Sequence, residues 1–172
     1  MGCELRQWKK EDAESLAELL NNKKILDNLR DGLPYPYTAS DALGYIDAML
    51  NSDKNSVFAF AVVTEGKVVG SVGIFRQQNI HYKTAELGYY IGEPYWNIGI
   101  ATEAVKRACC YVFENTDIIR IFAEPFARNV ASCRVLEKAG FVYEGTLCAN
   151  AVKCGKVEDM KMYAKIKERF QD

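Results

Sequence analysis

The sequence is short of the residues that build metal centres and covalent staples. It has one histidine, His81, and its six cysteines, at 3, 109, 110, 133, 148 and 154, form no C-x-x-C pair. Free thiols in a reducing cytoplasm are therefore expected, with no disulfide framework and no metal. Proline is scarce too, with four residues scattered at 34, 36, 94 and 125, and no Pro/Gly/Ser-rich linker, repeat or low-complexity tract interrupts the chain. One continuous domain over residues 1–172 is the expectation. Neither charge is in surplus, since Lys+Arg 22 against Asp+Glu 23 leaves a net −1. Such a surface has no field to gather nucleic acid or an anionic membrane, and no basic–aromatic stripe is present to stack bases. No apolar run approaches the length of a membrane span, and the start, Met1-Gly2-Cys3-Glu4-Leu5-Arg6, has no signal-peptide apolar core. Gly2 invites myristoylation, but Arg6 stands where that signal needs Ser or Thr.

What is present is ordinary globular material: 172 residues, 49% of them apolar and 26% charged. A chain of this length buries roughly 70% of its unfolded surface, enough for a core without staples. Glu4 to Trp8 reads as a strand. Ala13, Leu16, Leu19 and Leu20 fall at helical spacing over 11–21, with Asp12 as its N-cap. A short helix over 24–29 ends at Gly32-Leu33-Pro34, and Thr38-Ala39-Ser40-Asp41 opens the next as a capped start. Val57 to Thr64 and Lys67 to Phe75 are β-branched runs joined by Glu65-Gly66, and Ala85 to Ile91 continues the meander. Ala101, Ala104, Val105, Ala108, Cys109, Val112 and Phe113 mark the strongest helix. A strand at 118–123 follows, then a helix from Asn129 that ends at Gly140. Strands at 141–147 and 160–166 close the chain around Cys154-Gly155-Lys156. The order predicts a mixed α/β (α+β) sheet, mostly antiparallel, with helices on both faces. The passages 85–123 and 118–147 both permit parallel neighbours.

The most informative stretch is Gly92-Glu93-Pro94-Tyr95-Trp96-Asn97-Ile98-Gly99-Ile100-Ala101-Thr102, between a strand and the strongest helix. A helix N-terminus offers unpaired N–H groups and a positive dipole end, which suits phosphate. Gly99 permits close backbone approach, Ala101 adds little bulk, and Thr102 adds a hydroxyl. Spacing alone leaves a plain tight turn equally open.

The stretch 85–104, AELGYYIGEPYWNIGIATEA, resembles the acetyl-CoA motif of the GNAT N-acetyltransferase superfamily, closest to the Rim-type branch that acetylates ribosomal-protein N-termini. A second block, Asn129-Val130-Ala131-Ser132-Cys133-Arg134-Val135-Leu136-Glu137-Lys138-Ala139-Gly140-Phe141, resembles that family's N-x-x-S-x-[RK]-V-L-E-K-x-G-F. Leu33-Pro34-Tyr35-Pro36-Tyr37-Thr38 is a weaker echo, and the order of elements is similar along nearly the whole chain. The resemblance implies a GNAT-like fold and an acetyl-CoA-dependent transfer to a primary amine, a protein N-terminus or a small amine. It implies that Trp96, Asn97, Ile98, Gly99, Ile100, Ala101 and Thr102 cradle the CoA pyrophosphate, with Asn97 in place of the usual glycine. Tyr90 and Ile91 would pair with the pantetheine arm like an added strand, and an N–H near Ile91 would polarise the thioester carbonyl. Asn129 would bond the same arm, as well as capping its helix.

Amide formation from a thioester needs a group to take a proton from the ammonium and a donor to the leaving thiolate. Glu86 is the candidate base, on a strand face shared with Gly88, which leaves space beside it. The tyrosine acid that many GNAT enzymes carry falls here on Leu136. In the Rim-type pattern the donor is a serine three residues after the asparagine, here Ser132. Tyr35 and Tyr37 would line the acceptor cleft. A glutamate of the ribosomal Rim-type enzymes falls on Ala151, beside Asn150, while nearby Glu158 and Asp159 read as hairpin charges. The competing class is a noncatalytic acyl-CoA-binding or partner-binding module on the same fold. A monomer and a homodimer are both compatible with the pattern.

Overall fold

The computed structural model describes residues 2–168. Its frame is a seven-stranded sheet: β1 (Glu4–Arg6), β2 (Val57–Thr64), β3 (Lys67–Arg76), β4 (Thr84–Ile91), β5 (Arg120–Ala123), β6 (Val142–Lys153) and β7 (Lys156–Ile166). The spatial order is β1-β2-β3-β4-β5-β7-β6. Only β4 and β5 run parallel among the described pairs; the others are antiparallel. The helices are α1 (Ala13–Leu20), α2 (Lys23–Leu26), α3 (Ala39–Leu50), α4 (Ile100–Asn115) and α5 (Val130–Lys138).

Strand alternation divides the interior. On β4, Ala85, Leu87 and Ile91 join α4 and α5 in one apolar cluster. The opposite face carries a second cluster from α1, α3 and Tyr37, with Tyr90 packed against it. Helices therefore cover both faces, as expected.

Local chemistry explains most boundaries. Thr38 and Asp41 form a reciprocal capping box: Asp41 N–H donates to Thr38 Oγ1 (3.2 Å) and Thr38 N–H to Asp41 Oδ2 (2.8 Å). Gly140, at φ +86°, ends α5. Asp12 holds the N-cap position of α1, as expected, but its side chain makes no capping bond to that helix. It closes a 3-10 turn at Lys10–Asp12, accepting from Lys9 N (2.9 Å) and from Arg6 at 2.7 and 2.8 Å. The helix expected over 24–29 is the single turn of α2, because six residues with few tertiary partners cannot sustain a longer helix. β6 and β7 run further toward Cys154-Gly155 than expected. Their outer halves bury no apolar face, Val152 and Val157 both being exposed, yet Ala151–Glu158, Val152–Val157 and Lys153–Lys156 still pair. β5 and β6 are not neighbours, since β7 lies between them, so the passage 118–147 forms no parallel pair.

The positioning feature is a split. The β4–β5 ladder runs only from Thr84–Arg120 to Glu86–Phe122. Beyond it β4 continues to Ile91, while β5 ends at Ala123.

Candidate active site

The split opens a cleft of about 1130 Å³ between α4–α5 and the α1–α2 side. Its backbone inventory follows from register. Gly92 N–H donates to Val69 O and Gln77 N–H to Thr84 O, so even-numbered residues of β4 point their backbone groups at β3. Odd-numbered residues point toward β5, as Ile119 N–H to Lys83 O confirms. The backbone groups of Tyr89 and the Ile91 N–H therefore face the gap that β5 has left, whereas Tyr90, expected to pair with the arm, turns its backbone groups to β3. An extended ligand arm can pair there as an added strand.

At the end of this edge the chain turns through Trp96–Gly99 into α4. Trp96 Nε1 donates to Ile91 O at 2.6 Å, locking the loop to β4. Glu93, in the 3-10 turn before it, accepts from Asn22 at 2.7 Å and pairs with Lys24. Asn97 (φ +61°) and Gly99 (φ +88°) both take the left-handed conformation. Asn tolerates that region better than other residues with a Cβ, so it fills a glycine place at modest cost. A Cβ on Gly99 would meet nothing within 4 Å; what demands glycine there is the dihedral angle. The first helical bond recorded is Glu103 N–H to Gly99 O, leaving the N–H groups of Ile100, Ala101 and Thr102 as the free start of α4. Trp96, Asn97, Gly99, Ile100, Ala101 and Thr102 line the cleft, whereas Ile98 is exposed outside the lining. Ile100 itself is fully buried and anchors the loop.

On the α5 wall, Asn129 Oδ1 accepts from Ser132 N–H at 3.1 Å, so its carboxamide caps the helix. The Ser132 hydroxyl lies 2.7 Å from the Tyr89 hydroxyl, which also donates to Ser132 O at 3.2 Å. Burial first, against a smaller opposing effect of the Ser132 bond, raises the Tyr89 pKa, so the phenol keeps its proton. Leu136 is fully buried in the core and reaches no solvent. Arg134 and Lys138 add two cations to the lining.

The opposite wall carries Glu86, Gly88 and Tyr90. Gly88 pairs with Gly73, and a Cβ on Gly88 would meet nothing within 4 Å, so the wall is open beside Glu86. Arg30 pairs with Glu86 and stands 3.8 Å from Glu124. Tyr37 lines the cleft but is nearly buried; desolvation, then the charge of Asp41, pushes its phenol up to about 12. Tyr35 is exposed outside the lining, with Lys23 over its ring. Ala151 pairs with Glu158, whose carboxylate accepts from Arg128 Nε at 2.9 Å, and Asp159 accepts from Ala149 N–H at 2.7 Å; both acids tie the hairpin.

The sequence reading missed Tyr89, Arg30, Glu124, Arg134 and Lys138 as lining groups. Tyr89 sits inside the quoted motif, and only its register on β4 assigns it to Ser132. Arg30 and Glu124 belong to no pattern.

Residues 3–142 match the family model described as an acetyltransferase (GNAT) domain. The chain belongs to the GNAT acetyltransferase family. It is 34% identical over 115 residues to the probable N-acetyltransferase YjcK of Bacillus subtilis, a match spanning 67% of this chain and 64% of that protein. The chain thus covers just under two thirds of that relative. Among solved GNAT folds, the ribosomal-protein-S5-alanine acetyltransferase of Vibrio fischeri superposes with a TM-score of 0.86 at 25% identity, covering 99% of this chain and 96% of that one. The spermidine N-acetyltransferase of Vibrio cholerae, solved in complex with CoA and spermine, gives 0.81 at 22% identity, covering 99% and 98%. The mixed, mostly antiparallel sheet with helices on both faces is the GNAT architecture of these neighbours. Among the described residues no helix is long and apolar enough to cross a membrane.

Proposed function

We propose that this protein transfers the acetyl group of acetyl-CoA to a primary amine by direct attack on the thioester. One observation carries the reading: the open edge of β4 and the free N-terminus of α4 meet in a single cleft. That pairing supplies strand-like bonds for a pantetheine arm and N–H donors with a positive dipole end for its pyrophosphate. Asn97, Gly99, Ala101 and Thr102 hold the phosphates, with Arg134 and Lys138 as nearby countercharge. Tyr89 and Ile91 hold the arm through backbone groups, and the Ile91 N–H polarises the thioester carbonyl. Ser132 gives a proton to the departing thiolate, and Tyr89, bonded to its hydroxyl, keeps that proton in supply.

The acceptor enters from the wall of Glu86, where carboxylates hold and neutralise an ammonium before attack. The acceptor is a protein N-terminus or a small amine; the Vibrio neighbours bear names of both kinds. Titration of acetyl-CoA by calorimetry tests the reading, with desulfo and dephospho analogues as controls. Saturable binding near one per chain is expected. Folded protein that binds no acetyl-CoA overturns the assignment.

A further inference from the structure

Three charged groups from three separate segments converge on the acceptor wall, and two of them are carboxylates. Glu86 lies on β4, Glu124 follows β5 directly, and Arg30 comes from the loop after α2. Arg30 Nη2 serves both acids: it bonds Glu86 and stands 3.8 Å from Glu124, while Nη1 reaches Glu86 at 3.5 Å. Two like charges held this close resist joint ionisation unless a cation lies between them. In the free protein that cation is a guanidinium, which cannot give up a proton to either acid. The Arg30 side chain is 64% exposed, against 24% for Glu86 and 20% for Glu124. Its loop is tied down elsewhere. Arg128 donates to Asp27 O at 2.6 Å and to Asn28 Oδ1 at 2.9 Å, and Lys153 pairs with Asp31 at 2.6 Å. The guanidinium can therefore swing outward while its loop stays in place.

We propose that the Glu86–Glu124 pair is the seat of the acceptor's alkylammonium group, that Arg30 is a built-in competitor for that seat, and that Glu124 takes the ammonium's proton. The proposal rests on the acetyl-transfer reading above. Glu124 suits the role. Burial first, then the charge of Glu86, raises its carboxyl pKa, and Arg30 opposes both. Displacing Arg30 removes the opposition at the moment a base is needed.

The step balances. The ammonium replaces Arg30 and passes one proton to the Glu124 carboxylate. The freed nitrogen lone pair attacks the thioester carbonyl carbon, the C–N bond forms, and the C–S bond breaks with its pair on sulfur. The thiolate takes the Ser132 hydroxyl proton, the second proton shed by nitrogen passes through water and the Tyr89 hydroxyl to restore that of Ser132, and Glu124 returns its own to water. One ammonium and one acetyl-CoA yield one amide, one CoA thiol and one released proton.

The test uses spermine and an alanine tripeptide amide, each titrated by calorimetry at low salt into wild type, Arg30→Met and Arg30→Lys. Arg30→Met is expected to bind at least one amine about fivefold tighter than wild type, because the seat no longer has to be vacated. Arg30→Lys retains a cation and keeps wild-type affinity. A gain for spermine alone identifies a polyamine acceptor, and a gain for the peptide alone a peptide N-terminus; either supports the seat. Arg30→Met binding both amines no tighter than wild type overturns it. Glu124→Gln is expected to lower the rate at saturating amine about a hundredfold, with acetyl-CoA affinity changed less than about twofold. Full turnover in that variant overturns the base assignment. The amine titrations need no acetyl-CoA, so loss of the acetyl-transfer reading and loss of the seat are read separately.

Discussion

On the α4–α5 wall of the cleft the working groups are mostly backbone: the free N–H groups of α4 and the unpaired edge of β4. On the α1–α2 wall they are side chains, contributed by Arg30, Glu86 and Glu124 from segments far apart in sequence. A backbone site is conserved in shape by the fold that makes it, and it suits a ligand that stays the same. A side-chain site can be rewritten residue by residue without disturbing the sheet, and it suits the partner that varies. The sharpest way to break this contrast is at Gly99. Gly99→Glu forces a side chain into the left-handed region at φ +88° and sets a negative charge at the phosphate end. Acetyl-CoA binding is expected to weaken by about a hundredfold, a sum of backbone strain and charge repulsion. The fold should survive, because the new side chain meets open space. Amine binding at the opposite wall should be unchanged, and calorimetry with both ligands reads the two walls apart. A parallel loss of amine affinity would show that the walls are not independent.

Ser132 and Tyr89 sharpen the contrast from the catalytic side. They are the side chains on the backbone wall whose proposed role is chemical. Ser132→Ala should lower kcat by about tenfold to a hundredfold with little change in acetyl-CoA affinity, as removal of a proton donor does. Tyr89→Phe keeps the ring in place and removes only the hydroxyl 2.7 Å from Ser132 Oγ, so its loss of kcat should be smaller and in the same direction. If Tyr89→Phe alters only thermal stability, the phenol merely packs.

The same division explains what could be read from the sequence. The phosphate loop, α4, the cap at Asn129 and the succession of elements along the chain are local patterns visible in short windows, whereas the insertion of β7 between β5 and β6 was not. Strand alternation also made Glu86 a candidate. The partners of Glu86 were not visible, since Arg30 and Glu124 lie 56 residues before it and 38 after it. No periodicity links them; only the split between β4 and β5 brings them together. Asp12 shows the same limit on a smaller scale. Its position as N-cap of α1 was legible, but Arg6 on β1 recruits its carboxylate, so the side chain does not cap that helix. The outer half of the β6–β7 hairpin was hidden for another reason: its Val152–Val157 pair stands exposed among polar neighbours, so no buried face marks the strands, and a backbone ladder leaves no trace in composition.

Asp12 also offers a pH test of the α1 side. Burial alone would raise its carboxyl pKa, but the Arg6 bonds and the Lys9 N–H outweigh it, and the folded value lies below the usual aspartate range. A carboxyl depressed on folding contributes stability above its unfolded pKa of about 3.9, and the contribution fades as pH falls through the folded value. Asp12→Asn should therefore cost about 1–3 kcal/mol at pH 7 and progressively less below pH 4. Thermal melts of both proteins between pH 3 and 7 check this. Curves that stay parallel down to pH 3 would remove Asp12 as a source of acid sensitivity.

The smallest expected effect is at Asn97, and it separates backbone shape from side-chain chemistry within the phosphate loop itself. Asn97 already sits at φ +61°, so Asn97→Gly leaves the path of the chain unchanged. The added freedom of glycine should loosen the unliganded loop slightly, weakening acetyl-CoA by about twofold. Asn97→Val is a harder change, since a β-branched residue resists the left-handed region by roughly 1–2 kcal/mol, and about tenfold weaker binding should follow. Glycine above valine, with asparagine at or just above glycine, is the order a backbone site requires. If instead glycine and valine weaken binding equally, the asparagine side chain is itself a ligand for the phosphates, and this part of the α4–α5 wall is specified as the acceptor wall is, by side chains.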